Sequence, residues 1–180
     1  MAEEMQKSTG QPFIVDNRTG AGGAIAANAA ATAAPDGYTL FVGPVGISAI
    51  TPQLRKLPYD ARKDLVAVAK LSGFSSVYVV SNELPVKTLA DFIAYAKAKP
   101  GKLSYATSGV GSQGHLGGEM LQKAWGIQMT HVPYKGAPEI VASMLSGQTQ
   151  VAFPTFSTAL PQVKGGKLRG LAVTSAKRNP

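Results

Sequence analysis

The sequence predicts an α/β layered fold with a largely parallel sheet, and three observations carry that prediction. Short apolar runs alternate with helix-patterned segments almost throughout the chain. Pro, Gly, Asp and Asn turns punctuate most of the junctions, as at Pro35-Asp36-Gly37 and Lys99-Pro100-Gly101. Alanine and glycine are abundant while aromatics make up 7% of the residues, which suits helices packed closely on a sheet. At 180 residues the chain is long enough to bury a core, as one domain or two small ones.

Residues 2–8 read as a helix that stops at Gly10-Gln11-Pro12, and 13–15 as a short strand. An alanine-rich helix is expected over 24–34, followed by a buried strand over 38–42. Pro52 and Pro58 limit any helix within 44–57 to short pieces. Strands are expected at 65–71 and 76–80, then a helix capped by Thr88 with Asp91 in its first turn. A strand over 103–106 leads through a polar glycine-rich loop into a helix reaching about Trp125 and stopped by Gly126. Strands at 128–132, 150–153 and 168–173 and helices at 138–145 and 158–163 complete the series.

Composition excludes several chemistries. Cysteine is absent, so disulfides, thiolate metal sites and cysteine nucleophiles are excluded. Two histidines with poor carboxylate supply nearby do not make a zinc site. The net charge of +8 favours anionic partners, yet the basic residues are scattered and not interleaved with aromatics, so nucleic acid is not expected. No run approaches the roughly 18–20 apolar residues of a membrane span, and no secretory signal follows Met1.

Three constellations carry chemistry. In the loop over 107–115, Ser108, Ser112, Gln113 and His115 can donate hydrogen bonds, while Gly109, Gly111 and Gly114 let backbone approach a ligand. With the helix start behind it, the loop suits an anion, or else simply caps the helix. The turn Asn17-Arg18-Thr19-Gly20-Ala21-Gly22-Gly23 lacks the dinucleotide glycine spacing and is either a plain anion turn or a tight strand–helix turn. Val132-Pro133-Tyr134-Lys135-Gly136 places an aromatic and a cation at a strand end, at a cleft or in solvent. Gly43-Pro44-Val45-Gly46 is a cleft loop or only a turn, and His131 reads as a packing residue.

Together these stretches resemble one family. Asn17 to Gly23, Pro35-Asp36-Gly37-Tyr38-Thr39-Leu40, Tyr105 to His115 with Glu119, Val132 to Gly136, and Gly166-Lys167-Leu168-Arg169-Gly170-Leu171-Ala172-Val173 stand in the order found in the extracytoplasmic solute receptors of tripartite tricarboxylate transporters, the Bug proteins. The resemblance implies an α/β fold of the periplasmic-binding-protein type II (Venus flytrap) kind, closing on a small organic acid: a mono- or dicarboxylate or an aromatic acid. It implies that Gly20, Ala21, Gly22 and Gly23, with the loop around Gly43 and Ser48, line the first wall. Thr107, Ser108, Gly111, Ser112 and His115 would face them and take a carboxylate, with Tyr134 and Lys135 at the rim and Phe153 close by. It further implies the periplasm, permease subunits as membrane partners, and no cofactor, metal or catalysis.

Family members are longer than this chain, and they begin with a strand and a ligand-contacting loop. Residues 1–97 are therefore expected to be a partial first domain, 98–174 a nearly whole second domain, and 175–180 the start of a return crossover. Thr19 stands where the family usually has proline, and Ala24 where a polar residue is frequent. Exposed sheet edges predict self-association, and an incomplete wall predicts weakened affinity. Three competing functions are an enzyme using His115, a ligand-sensing domain of a regulator, and a truncated fragment that binds nothing. The enzyme is disfavoured, since no nucleophile elbow, P-loop lysine or carboxylate pair occurs.

Overall fold

The computed structural model describes residues 1–73 and 75–177. Five strands form one mixed sheet: β1 (Val77–Ser81), β2 (Leu103–Thr107), β3 (Met129–Pro133), β4 (Val151–Ala152) and β5 (Leu168–Val173), in the order β3-β2-β4-β1-β5. β2 runs parallel to β3 and β4, whereas β1 runs antiparallel to β4 and β5, so the expected parallel character holds for all strands but β1.

Period-two alternation along β1 sends its side chains to two cores. Tyr78 and Val80 join Phe92, Ala96, Leu103, Tyr105, Ile127, Val151 and Phe153 on one face, covered by α4 (Leu89–Ala98) and α5 (Gln113–Trp125). Val77 and Val79 join Ala106, Ile140, Met144, Ala152 and Ala159 on the other, covered by α6 (Ala137–Leu145) and α7 (Phe156–Lys164). β1 and α4, expected ahead of residue 98, thus share a sheet and a core with β2–β5. Beside this body, α1 (Ala2–Thr9), α2 (Ala24–Ala31), a wide helical turn over Gly46–Ile50 and α3 (Thr51–Leu54) belong to the first 75 residues. There a small cluster of Ala24, Ala27, Ile47, Tyr59 and Ala61 is buried.

The strands expected at 13–15, 38–42 and 65–71 are not formed. These segments join no ladder among the described residues, and Ile14 (93% exposed) and Tyr38 (92%) project into solvent. A strand exists only through its ladder, so β-patterned sequence without a partner stays irregular. The expected crossover over 175–180 lies, for its last three residues, outside the described ones.

The helix starts follow local chemistry. Thr88 accepts from the Asp91 N–H while the Asp91 carboxylate accepts from the Thr88 N–H, a reciprocal cap. Ser112 caps α5 by accepting the His115 N–H at 3.3 Å, and Gly126 ends it with φ +64°. Where the chain enters β1 and leaves β5, Ser76 and Thr174 are tied twice. The Ser76 N–H donates to Thr174 Oγ1 at 2.9 Å, and the Thr174 N–H donates to the Ser76 carbonyl at 3.0 Å.

Candidate functional site

The parallel pair β2 and β3 ends side by side, with the Tyr134 N–H donating to the Thr107 carbonyl at 2.8 Å. Open α/β sheets collect ligands at such carboxyl ends. The loop leaving β2 turns at Gly109 (φ +111°) and Gly111 (φ +83°), a backbone region that glycine alone enters without strain. Thr107, buried, holds the first turn by accepting the Gly109 N–H at 3.0 Å. Among the described residues no acceptor meets the N–H groups of Ser108 and Val110.

Against this loop lies the turn ahead of α2, where Gly20, Ala21, Gly22 and Gly23 all have positive φ. Ala21, at φ +48°, is alone among the described non-glycine residues in that region. Such a left-handed alanine costs on the order of 1 kcal/mol, a strain that tends to persist at functional sites. The turn is held from outside by Arg55, whose guanidinium donates to the Ala21 carbonyl at 2.6 Å.

Between the two loops is an open cavity of about 400 Å³, within the range of small-ligand sites. Gly20, Ala21, Gly22 and Arg55 line one side, and Ser108, Gly109, Val110, Pro133, Tyr134, Lys135 and Glu139 the other. The Glu139 carboxylate accepts the Lys135 N–H at 3.0 Å. The cavity is therefore lined by two cationic residues, two hydroxyl-bearing ones and one carboxylate already engaged, and two of its lining residues, Ser108 and Val110, have N–H groups without an acceptor among the described residues. That set attracts and orients an anion.

Of the residues singled out in the sequence, the structure brings Gly20, Ala21, Gly22, Ser108, Tyr134 and Lys135 together on this cavity. Thr107, Gly111, Ser112 and His115 lie behind the wall as its support; Gly111 packs on Thr51, and the Gly111 N–H donates to His115 Nδ1 at 3.4 Å. Gly23 is set against Ile47. Gly43 and Ser48 are exposed and away from the cavity. Phe153 is a core residue, with its ring 5.0 Å from Tyr78 and 6.2 Å from Tyr105. Arg55, Val110 and Glu139 were not among the expected residues. Arg55 is one of many scattered cations, and only the fold distinguishes it.

His131, expected to pack, does pack: its ring lies 4.5 Å from His115 and 5.0 Å from Tyr105. It is also hydrogen-bonded, with Nε2 2.6 Å from Thr107 Oγ1. Burial lowers the His131 pKa, His115 lowers it further, and Glu119 opposes them. Tyr105 donates to Glu119 at 2.5 Å; burial first, then that bond, pushes its phenol upward.

Comparison with known proteins places these features in context. The family profile described as tripartite tricarboxylate transporter family receptor matches residues 1–180. A Cupriavidus necator protein, the UPF0065 protein in the gbd 5′ region, is 40% identical over 99% of this chain and 54% of its own length. The chain thus spans about half the length of the curated relatives it matches. Among solved structures, Rpa4515 of R. palustris with adipate superposes with a TM-score of 0.94 at 36% identity, over 98% of this chain and 60% of that one. MatC of Rhodopseudomonas palustris with bound malate gives 0.92 at 31% identity, over 99% of this chain and 61% of that one.

Proposed function

We propose a function on one premise: this chain belongs to the tripartite tricarboxylate transporter receptor family. It holds a small organic acid in the periplasm, without catalysis, for delivery to the membrane permease subunits of such a transporter. The observation that carries this reading is the convergence on one cavity of Arg55, Lys135, Ser108 and Val110, the last two with N–H groups that meet no acceptor among the described residues. Each donates to a carboxylate and none is paired with a base that would make it a nucleophile. Two cations and the loop donors suit the two ends of a dicarboxylate, in keeping with relatives solved with adipate and malate.

In this reading the working boundary between the two walls falls near residue 76, with β1 and α4 belonging to the sheet-bearing unit. Calorimetric titration with adipate, malate, butyrate, benzoate and adipamide tests it. Saturable heat is expected with a dicarboxylate and none with the uncharged adipamide. Equal binding of adipate and adipamide, or no heat with any acid, overturns the proposal.

A further inference from the structure

Behind the cavity wall lies a polar cluster whose bond pattern links a titratable group to the acid-binding loop. At its centre is the Thr107 hydroxyl, 2% exposed. It accepts the Gly109 N–H at 3.0 Å, meets His131 Nε2 at 2.6 Å and lies 3.4 Å from the Gly109 carbonyl oxygen. The hydroxyl has a single proton to give. When His131 is neutral with Nε2 unprotonated, the shorter contact takes that proton and the Gly109 carbonyl goes without it. When His131 is an imidazolium, Nε2–H donates to Oγ1, and the hydroxyl proton turns to the Gly109 carbonyl. Both atoms of Gly109 within reach of this hydroxyl belong to the turn that carries Ser108 and Val110, two of the residues lining the cavity.

We propose that His131 is a positioning residue for the acid-binding loop, acting through the Thr107 hydroxyl, and that it couples capture of the acid to uptake of a proton. This rests on the cavity being an anion site. The charged groups facing His131 are His115 and Glu119 from α5, with the Tyr105 phenol from β2 held on Glu119. Burial and, beside it, His115 shift the free protein's His131 toward the neutral form. An anion on the loop one hydroxyl away favours the imidazolium, and by reciprocity the imidazolium favours the anion. Binding therefore tightens as pH falls through the His131 midpoint, by up to about tenfold for each unit by which the acid raises that midpoint.

The test reads the loop first and the ligand second, on the full chain. In NMR titrations over about pH 5–8, the amides of Ser108, Gly109 and Val110 are expected to move with the midpoint of the His131 ring, below the usual value of about 6.5. The response persists in Thr107→Ser and disappears in Thr107→Val and His131→Gln. In His115→Gln it persists with a higher midpoint, because the lowering influence of His115 on His131 is gone. Calorimetry with adipate and malate in buffers of different ionisation heat is then expected to show proton uptake in the wild type and none in His131→Gln. Loop amides that ignore the His131 midpoint overturn the positioning role whatever binds. Amides that follow it without heat from either acid uphold the positioning role and remove the anion reading. Binding without proton uptake overturns the coupling.

Discussion

A β-carbon on Gly109 would stand 3.3 Å from the backbone nitrogen of Gly22. The reverse also holds, since a β-carbon on Gly22 would stand 3.3 Å from the Val110 carbonyl oxygen, and one on Gly46 would lie 3.1 Å from that of Gly111. At Gly109, Gly22 and Gly46 the two walls of the cavity therefore meet backbone to backbone, with no room for a side chain at those three positions.

Gly109→Ala is expected to destabilise the chain by about 1–3 kcal/mol, combining a left-handed φ with the collision at Gly22. It should also weaken binding of a dicarboxylate roughly tenfold or more, because the turn that carries Ser108 and Val110 is displaced. Urea unfolding and calorimetry check both; an alanine variant of wild-type stability and affinity would sink the seam argument.

Arg55→Gln removes a cation from the cavity and weakens the brace on the Ala21 carbonyl. Affinity for a dicarboxylate is expected to fall about tenfold or more, the worth of a charged hydrogen bond. Arg55→Lys should recover part of it. An affinity unchanged in both variants would remove Arg55 from the site.

Two adjacent glycines in α5 should respond in opposite directions. Gly117 has open space where a β-carbon would be, so Gly117→Ala is expected to stabilise by about 0.5–1 kcal/mol. At Gly118 the β-carbon would lie 2.5 Å from the Tyr105 ring, and Gly118→Ala should cost about 1–3 kcal/mol through overpacking. Thermal melts of the two variants beside wild type decide this.

Asp91 accepts the N–H groups of Lys87 at 3.0 Å and Thr88 at 2.9 Å. The Lys87 bond, then those with Thr88, hold its pKa below the usual carboxylate value. Because the folded value is the depressed one, its contribution is present above the unfolded value of about 3.9 and is lost as pH falls through the folded one. Asp91→Asn is expected to lower the urea midpoint at neutral pH, and the gap to wild type should close near pH 3. A gap that stays constant with pH would contradict the cap's charge dependence.

Unpaired apolar segments predict association between copies. Ile14, Tyr38, Val66 and Val68 (84% exposed) lie on stretches that join no ladder among the described residues. Light scattering is expected to give a mass that rises with concentration, and Val66→Lys with Val68→Lys should shift it toward the monomer. A concentration-independent monomer in the wild type would dismiss this prediction.

What is legible in the sequence follows from how locally it is determined. The starts of α4 and α5 are legible at Thr88 and Ser112, because a cap needs only neighbours within one turn. The end of α5 is legible at Gly126 because a left-handed φ calls for glycine. The glycine turns of the loop over 107–115 are legible for the same reason, with Gly109 and Gly111 at positive φ. The reversed direction of β1 is not, since apolar alternation is blind to polarity along the chain. The unpaired stretches at 13–15, 38–42 and 65–71 have sound strand patterns and no ladder, because pairing is a property of two segments. Arg55 and Phe153 exchange expectations for a similar reason: which long side chain meets a cavity and which a core is decided by distant chain.

The paired ties between Ser76 and Thr174 have a mechanical consequence. Chain arriving at β1 and chain leaving β5 are fastened into a two-ply strap at one corner of the sheet. The Gln113 side chain, at the first turn of α5, is moored to the same point through the Ser76 hydroxyl at 3.2 Å. A displacement of the chain entering β1 is thereby passed to three places at once: the end of β5, the start of α5 and the loop over 107–115 that runs into it.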